Sequence, residues 1–204
     1  MCVIDLFLSF LMMDIRPLFP QLIFSATIPV PNGLVEYCDE LKKGKTENRT
    51  SGGGWETPNN LQENKKFVDK YLKAHFLVPL QRELSTVKFP SWNLDALWIT
   101  GLNRGGYHVD HIHPCADFVF TWYINAYENA EGGCISFRNP MEYESSKMLH
   151  YLDPEIKNAL GLCHNFQIKP KSGLFLMFPA SLYHMVLPSG YDNRLAMTGN
   201  ITIG

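Results

Sequence analysis

Tyr107-His108-Val109-Asp110-His111-Ile112-His113 gathers three histidines and a carboxylate into one short run, and no other stretch of the 204-residue chain is as dense in metal ligands. On extended backbone successive side chains alternate faces, so His108 and Asp110 share one face while His111 and His113 share the other. Either pair can chelate a metal. A regular strand does not let both serve one ion, and only a bulge would produce a mixed set. Small β-barrels complete such a site at one mouth with a histidine from a later strand. In Phe178-Pro179-Ala180-Ser181-Leu182-Tyr183-His184-Met185-Val186, His184 follows a turn and opens an apolar strand, where packing would hold a ligand still. Ten residues on, Arg194 begins the last strand, with a guanidinium suited to clamping a carboxylate through two hydrogen bonds. A metal and a buried arginine in one barrel point to an anionic, bidentate cosubstrate.

These residues need a rigid scaffold, and the sequence after Pro90 offers one: β-rich segments alternate with Gly, Pro and Asn turns. The pattern predicts strands at 94–102, 107–113, 118–125, 134–137, 166–169, 174–178, 184–187 and 195–203, with a turn at Gly105-Gly106. Their number and short connections predict a mainly β fold with flanking helices, two facing antiparallel sheets forming a double-stranded β-helix of the jelly-roll or cupin-like kind. Before Pro90, residues 18–30 read as one or two short strands among prolines, and Leu34, Val35, Tyr37, Cys38 and Leu41 as an amphipathic helix fraying into Lys42-Lys43-Gly44-Lys45. Ser51-Gly52-Gly53-Gly54 reads as a flexible turn. A second helix is expected from about Leu61, burying Phe67, Tyr71, Leu72 and Phe76, with His75 near that face as a packed or half-exposed residue. Residues 141–164 form an irregular or helical insertion able to act as a lid, carrying His150 and His164 as surface residues. Trp55, Trp92 and Trp98 fit core or substrate-groove positions.

A single domain is expected over 18–204, with helical support at about 32–85, the β core at about 94–204, and residues 1–17 as an extension. With 46% hydrophobic residues, this length buries a core without disulfides or a structural metal. The net charge of −2 and the lack of a basic run give no reason to invoke nucleic acid. Five scattered cysteines with no C-x-x-C spacing argue against a disulfide framework and for a reducing, cytoplasmic setting. The apolar run from Val3 to Met13 contains Asp5, lacks a positive flank and is too short to span a bilayer, so no membrane role is expected. Asn48-Arg49-Thr50 and Asn200-Ile201-Thr202 match the glycosylation pattern, which a cytoplasmic protein would not use.

The order H-x-D or H-x-H, then Phe118-Val119-Phe120-Thr121-Trp122-Tyr123-Ile124-Asn125, then Gly132-Gly133-Cys134-Ile135-Ser136-Phe137, then His184 and Arg194, resembles the Fe(II)- and 2-oxoglutarate-dependent oxygenases. It is most similar to the prolyl-hydroxylase branch and to the oxygenases of this type common in bacteria and phages. The likeness covers about residues 18–204, including Leu18-Phe19-Pro20 and Gly54-Trp55. It implies Fe(II) in a facial triad and 2-oxoglutarate chelating the metal, its far carboxylate on Arg194 and Tyr123. It also implies oxidative decarboxylation to succinate coupled to hydroxylation of an unactivated C–H bond, in a prolyl residue or an amino-acid-like substrate, so a peptide or small molecule. No catalytic residue beyond the metal ligands is implied. The twelve residues from His111 to Tyr123 match the bacterial and phage spacing, which favours His111, His113 and His184 as ligands; Gly-Tyr before H-V-D resembles prolyl hydroxylases and keeps His108 and Asp110 as the alternative pair. Many relatives carry R-x-S on the last strand, whereas this chain has Arg194-Leu195-Ala196, leaving Thr198 as the nearest substitute hydroxyl. Two other readings of the same residues are a cupin-like three-histidine dioxygenase that does not use 2-oxoglutarate, and a β-sandwich binding module without catalysis.

Overall fold

The computed structural model describes residues 21–47, 49, 51–129, 131–141, 150–159 and 163–204. The proposed extension at 1–17 and residues 142–149 and 160–162 of the 141–164 insertion lie outside them. Nine strands carry the architecture: β1 Phe24–Thr27, β2 Ser51–Glu56, β3 Trp92–His111, β4 Phe118–Asn125, β5 Ile135–Arg138, β6 Asn165–Ile168, β7 Leu174–Pro179, β8 His184–Val186 and β9 Arg194–Ile203. Their hydrogen-bonded order is β1-β7-β4-β9-β3-β8-β5-β6, with β2 also on β3, and the ladders between strands are antiparallel. The sheet curls until β5 and β8 face β4 and β7, with Phe137 and Phe178 meeting edge to face at 4.7 Å across the gap. This is a double-stranded β-helix, as the strand pattern predicted.

The curl originates in β3. Its first half pairs with β9 from Trp92↔Ile203 to Leu102↔Arg194, and its far end pairs with β8 at His108 and His111. The expected turn at Gly105-Gly106 is instead a bend within one strand. Gly105 takes φ +77°, and Gly105 N–H donates to the Ser189 carbonyl at 2.7 Å while Ser189 N–H donates to the Gly106 carbonyl at 2.8 Å. Glycine supplies the positive φ cheaply and the reciprocal bonds keep the ladder going, so the chain passes from one sheet to the other without reversing.

Ser51–Gly54 is a second correction. It opens strand β2, whose register on β3 shifts between Gly52 and Gly54 with Gly53 at φ +69°. A Cβ at Gly54 would run into the Gly101 carbonyl oxygen, so the glycines permit close backbone approach rather than flexibility.

The helices pack outside, as expected. Helix α1, Leu34–Lys42, buries Leu34, Tyr37 and Cys38. After a short turn at Leu61–Glu63, helix α2 runs through Lys65–Phe67, Val68–Leu77 and Val78–Thr86 without a break, widened to π geometry in the middle piece. Asn64 caps it by accepting from Phe67 N–H at 3.1 Å, and the widening stops beside Pro79, which has no N–H to hold the preceding turn. Phe76 reaches the sheet, 5.1 Å from Phe120 and 5.0 Å from Trp122 between ring centres. Along β4 the alternation is clean: Phe120, Trp122 and Ile124 join the helix-side core, while Val119 and Tyr123 join the core inside the barrel. His75 is exposed rather than packed or half-exposed, because it points away from the face that buries Phe76, and His150, ahead of helix α3, Pro154–Ala159, is exposed as expected. No described helix is long and apolar enough to cross a membrane.

Candidate active site

Inside the barrel a cavity of about 340 Å³ runs from an exposed rim at Pro114 and Cys115 to a buried floor at Tyr123 and Arg194. His111, His113 and His184 meet on its wall, with one ring nitrogen from each lying within 4.8 Å of the others. Each is placed by backbone. His111 is opposite His184 in the β3–β8 ladder, and His113 N–H donates to the Ala180 carbonyl at 2.9 Å after β3 has ended. The His184 ring is buried against Phe178 at 4.8 Å, as its apolar strand required.

The hydrogen bonds decide which nitrogen each ring presents. His111 Nδ1 lies 2.7 Å from the Val109 carbonyl, His184 Nδ1 2.8 Å from the Leu182 carbonyl and His113 Nδ1 2.9 Å from Asn200 Oδ1. A carbonyl oxygen only accepts, so His111 and His184 carry their proton on Nδ1; the same assignment for His113 leaves all three Nε2 lone pairs free. His113 Nε2 is shielded from solvent and has no partner. Burial and the neighbouring His111 pull the His113 pKa down to about 4 and that of His184 to about 3, so both rings are neutral at physiological pH. Three neutral imidazoles converging, with outer nitrogens already anchored, fit a divalent transition metal.

The other sequence candidates divide. Asp110 leaves the cavity and forms an ion pair with Arg138. His108, expected on the face opposite His111, lines the same cavity. His111 lies three positions beyond His108 on β3 while their partners Val186 and His184 are only two positions apart on β8, so a bulge brings both histidines to one side. Arg194 is 2% exposed, donates from Nε to the Gly133 carbonyl at 3.1 Å and holds its guanidinium 5.1 Å from the Tyr123 ring centre. Tyr123 is fully buried, and burial, partly offset by Arg194, raises its pKa to about 12. Its hydroxyl has Arg194 close by and no hydrogen bond of normal geometry. Thr198 faces the cavity two same-face steps beyond Arg194 on β9, between Thr121 and Trp98 in register.

Several lining residues were not singled out from the sequence. Arg49 sits over Trp98 at 5.2 Å and pairs with buried Glu56 at 3.1 Å, and Trp98 stacks on His113 at 5.8 Å. Asn200, read from sequence only as part of a glycosylation pattern, instead orients His113. The period of two along β9, which puts Arg194, Ala196, Thr198 and Asn200 on one face, is the signal that could have found it.

The comparisons agree with this geometry. No curated protein matches the chain. Solved structures do, at identities that speak for the fold alone. A prolyl-4-hydroxylase from Pseudomonas putida superposes with a TM-score of 0.57 at 15% identity, covering 90% of this chain and 94% of that one. The viral collagen prolyl hydroxylase from Paramecium Bursaria Chlorella virus-1, in complex with 2-oxoglutarate, gives 0.55 at 15%, covering 89% and 96%. HygX from Streptomyces hygroscopicus, with nickel and 2-oxoglutarate bound, gives 0.59 at 13%, covering 89% and 83%. Residues 96–200 match the family model described as "Putative 2OG-Fe(II) oxygenase". That span includes His111, His113, His184 and Arg194, and it decides for 2-oxoglutarate against the cupin-like and non-catalytic readings. The chain belongs to this family, and it is a 2-oxoglutarate-dependent oxygenase whose cofactors are Fe(II) and 2-oxoglutarate.

Proposed function

We propose that His111, His113 and His184 hold Fe(II) through Nε2, that Arg194 and Tyr123 receive the far carboxylate of 2-oxoglutarate, and that the enzyme hydroxylates an unactivated C–H bond in a peptide or amino-acid-like small molecule. The observation that carries this reading is the convergence of three ring nitrogens whose opposite nitrogens are engaged. Bound Fe(II) with 2-oxoglutarate supplies O₂ activation coupled to decarboxylation. The chain's own residues bind, orient and exclude water. Val119, Ile135, Phe178, Val186 and Ala196 give the cavity an apolar wall, which strengthens every charge interaction inside it. Because Gly133 takes Arg194 Nε, the two terminal nitrogens of the guanidinium remain for a carboxylate. The rim at Trp98, Arg49 and Pro114 is the approach for the group to be oxidised.

Prepared anaerobically with Fe(II) and then given O₂, the protein is expected to convert 2-oxoglutarate to succinate, with His184→Ala reduced to background. Equal turnover in His184→Ala would overturn the ligand assignment. Adding prolyl peptides and free amino acids to the same assay, and looking for a mass gain of one oxygen, tests the substrate class. A prolyl substrate has the support of the prolyl hydroxylases among the structural neighbours.

A further inference from the structure

Arg194 is a buried cation that no carboxylate among the described residues pairs with. Such a charge demands an anion, and the polar atoms around it show the shape of the demand. In the sheet register Ala196 lies between Tyr123 on β4 and Thr100 on β3, and residues in register share a face. Neighbouring strands are about 4.8 Å apart, so Tyr123 and Thr100 flank the small Ala196 side chain across a gap of about 10 Å. Thr100 is 1% exposed, and its Oγ1 is buried without a partner, like Tyr123 Oη. A third unpartnered atom, His108 Nε2, lines the same cavity, and among charged groups Arg194 is the one its ring feels most.

An unmade hydrogen bond in a buried site is costly for each group, so three around one cation call for a common acceptor. Glu56, opposite Thr100 on β2, is not that acceptor for Arg194. Its Oε2 pairs with Arg49 while its Oε1 is buried without a partner, and it stands one strand further from Arg194 than Thr100 does.

Resting on the 2-oxoglutarate reading above, we propose that Thr100 and His108 complete the cosubstrate site, donating from Oγ1 and Nε2 to the far carboxylate held by Arg194 and Tyr123. Thr100 supplies from the neighbouring strand the hydroxyl that Ala196 lacks. Thr198, one step nearer the rim, is not needed for it.

The test is calorimetric binding to anaerobic, Ni(II)-loaded protein of 2-oxoglutarate and of 2-oxobutyrate, which offers the same chelating end without the far carboxylate. Wild type should strongly prefer 2-oxoglutarate. Thr100→Val and His108→Leu should each weaken 2-oxoglutarate by about ten- to a hundred-fold, as expected for a hydrogen bond to a charged group. Neither should change affinity for 2-oxobutyrate or Ni(II). His108→Gln, which keeps a donor, should lose less, and Ala196→Ser placed in Thr100→Val should restore binding. Thermal unfolding of each variant establishes that it is folded. Unchanged 2-oxoglutarate affinity in both folded variants overturns the proposal, and so does loss of Ni(II) binding in His108→Leu, which would make His108 a ligand. A wild type that binds both acids equally refutes the Arg194 reading beneath it, a distinguishable failure.

Discussion

At the scale of single residues, the site depends on where each imidazole keeps its proton. Asn200 presents Oδ1 to His113 Nδ1, leaving the other nitrogen bare toward the centre. Partners of this kind typically carry a ten- to hundred-fold share of metal affinity. Asn200→Ala is therefore expected to weaken Ni(II) binding by about that factor while leaving the fold intact, as read by competition with a chelating dye. His111 and His184 lean on backbone carbonyls, which no side-chain substitution removes. Asp110 is the instructive contrast. In the sequence it supplies the carboxylate expected of a two-histidine, one-carboxylate triad, yet it pairs with Arg138, and the group placed to hold a metal consists of three histidines.

At the scale of elements, β3 does the most. One strand lines the cavity with Trp98 and Thr100, bends at the glycines, and delivers His108 and His111 against β8. The tight β2–β3 contact supports it, with Trp55 lying against Gly101 and Gly54 against the Gly101 carbonyl. Gly54→Ala is expected to destabilise the fold by about 1–3 kcal/mol, the usual cost of forcing an atom into a packed site, measurable as a lower urea midpoint. The same change should loosen Arg49 from Glu56, because β2 carries Glu56.

At the scale of the whole molecule, several neutral histidines share one interior. His108 and His184 have pKa values near 3 and His113 near 4, against 6.5 when unfolded, chiefly because burial penalises the charged ring. Between these limits the unfolded chain binds more protons than the folded one. Stability of the metal-free protein is therefore full above about pH 6.5 and falls as the pH drops toward 4, with about three protons taken up on unfolding near pH 5. Urea titrations across that range give the slope; a flat profile would mean the rings are not buried and neutral as described. Metal bound to the folded state adds to this. Ni(II) at a hundred times its Kd should stabilise the neutral-pH protein by about 2.7 kcal/mol and raise Tm, an effect that His184→Ala removes.

Local pattern was enough for the outline of this protein. Alternating apolar residues and turn signals predicted the barrel strands, periodic apolar residues predicted both helices, and the order of H-x-H, Tyr123, His184 and Arg194 carried the resemblance that the family match bears out. These features are properties of short stretches, so they survive in one dimension. The tertiary structure decided what depends on register between distant strands. A pleat argument separated His108 from His111, and a bulge against β8 reunited them. A run of glycines read as a flexible turn, and close approach to Gly101 made it a strand. Asn200, Thr100 and Glu56 gained their places only because β9, β3 and β2 align them across the sheet, and alignment between strands is fixed by the packing of the whole chain, which no local window contains.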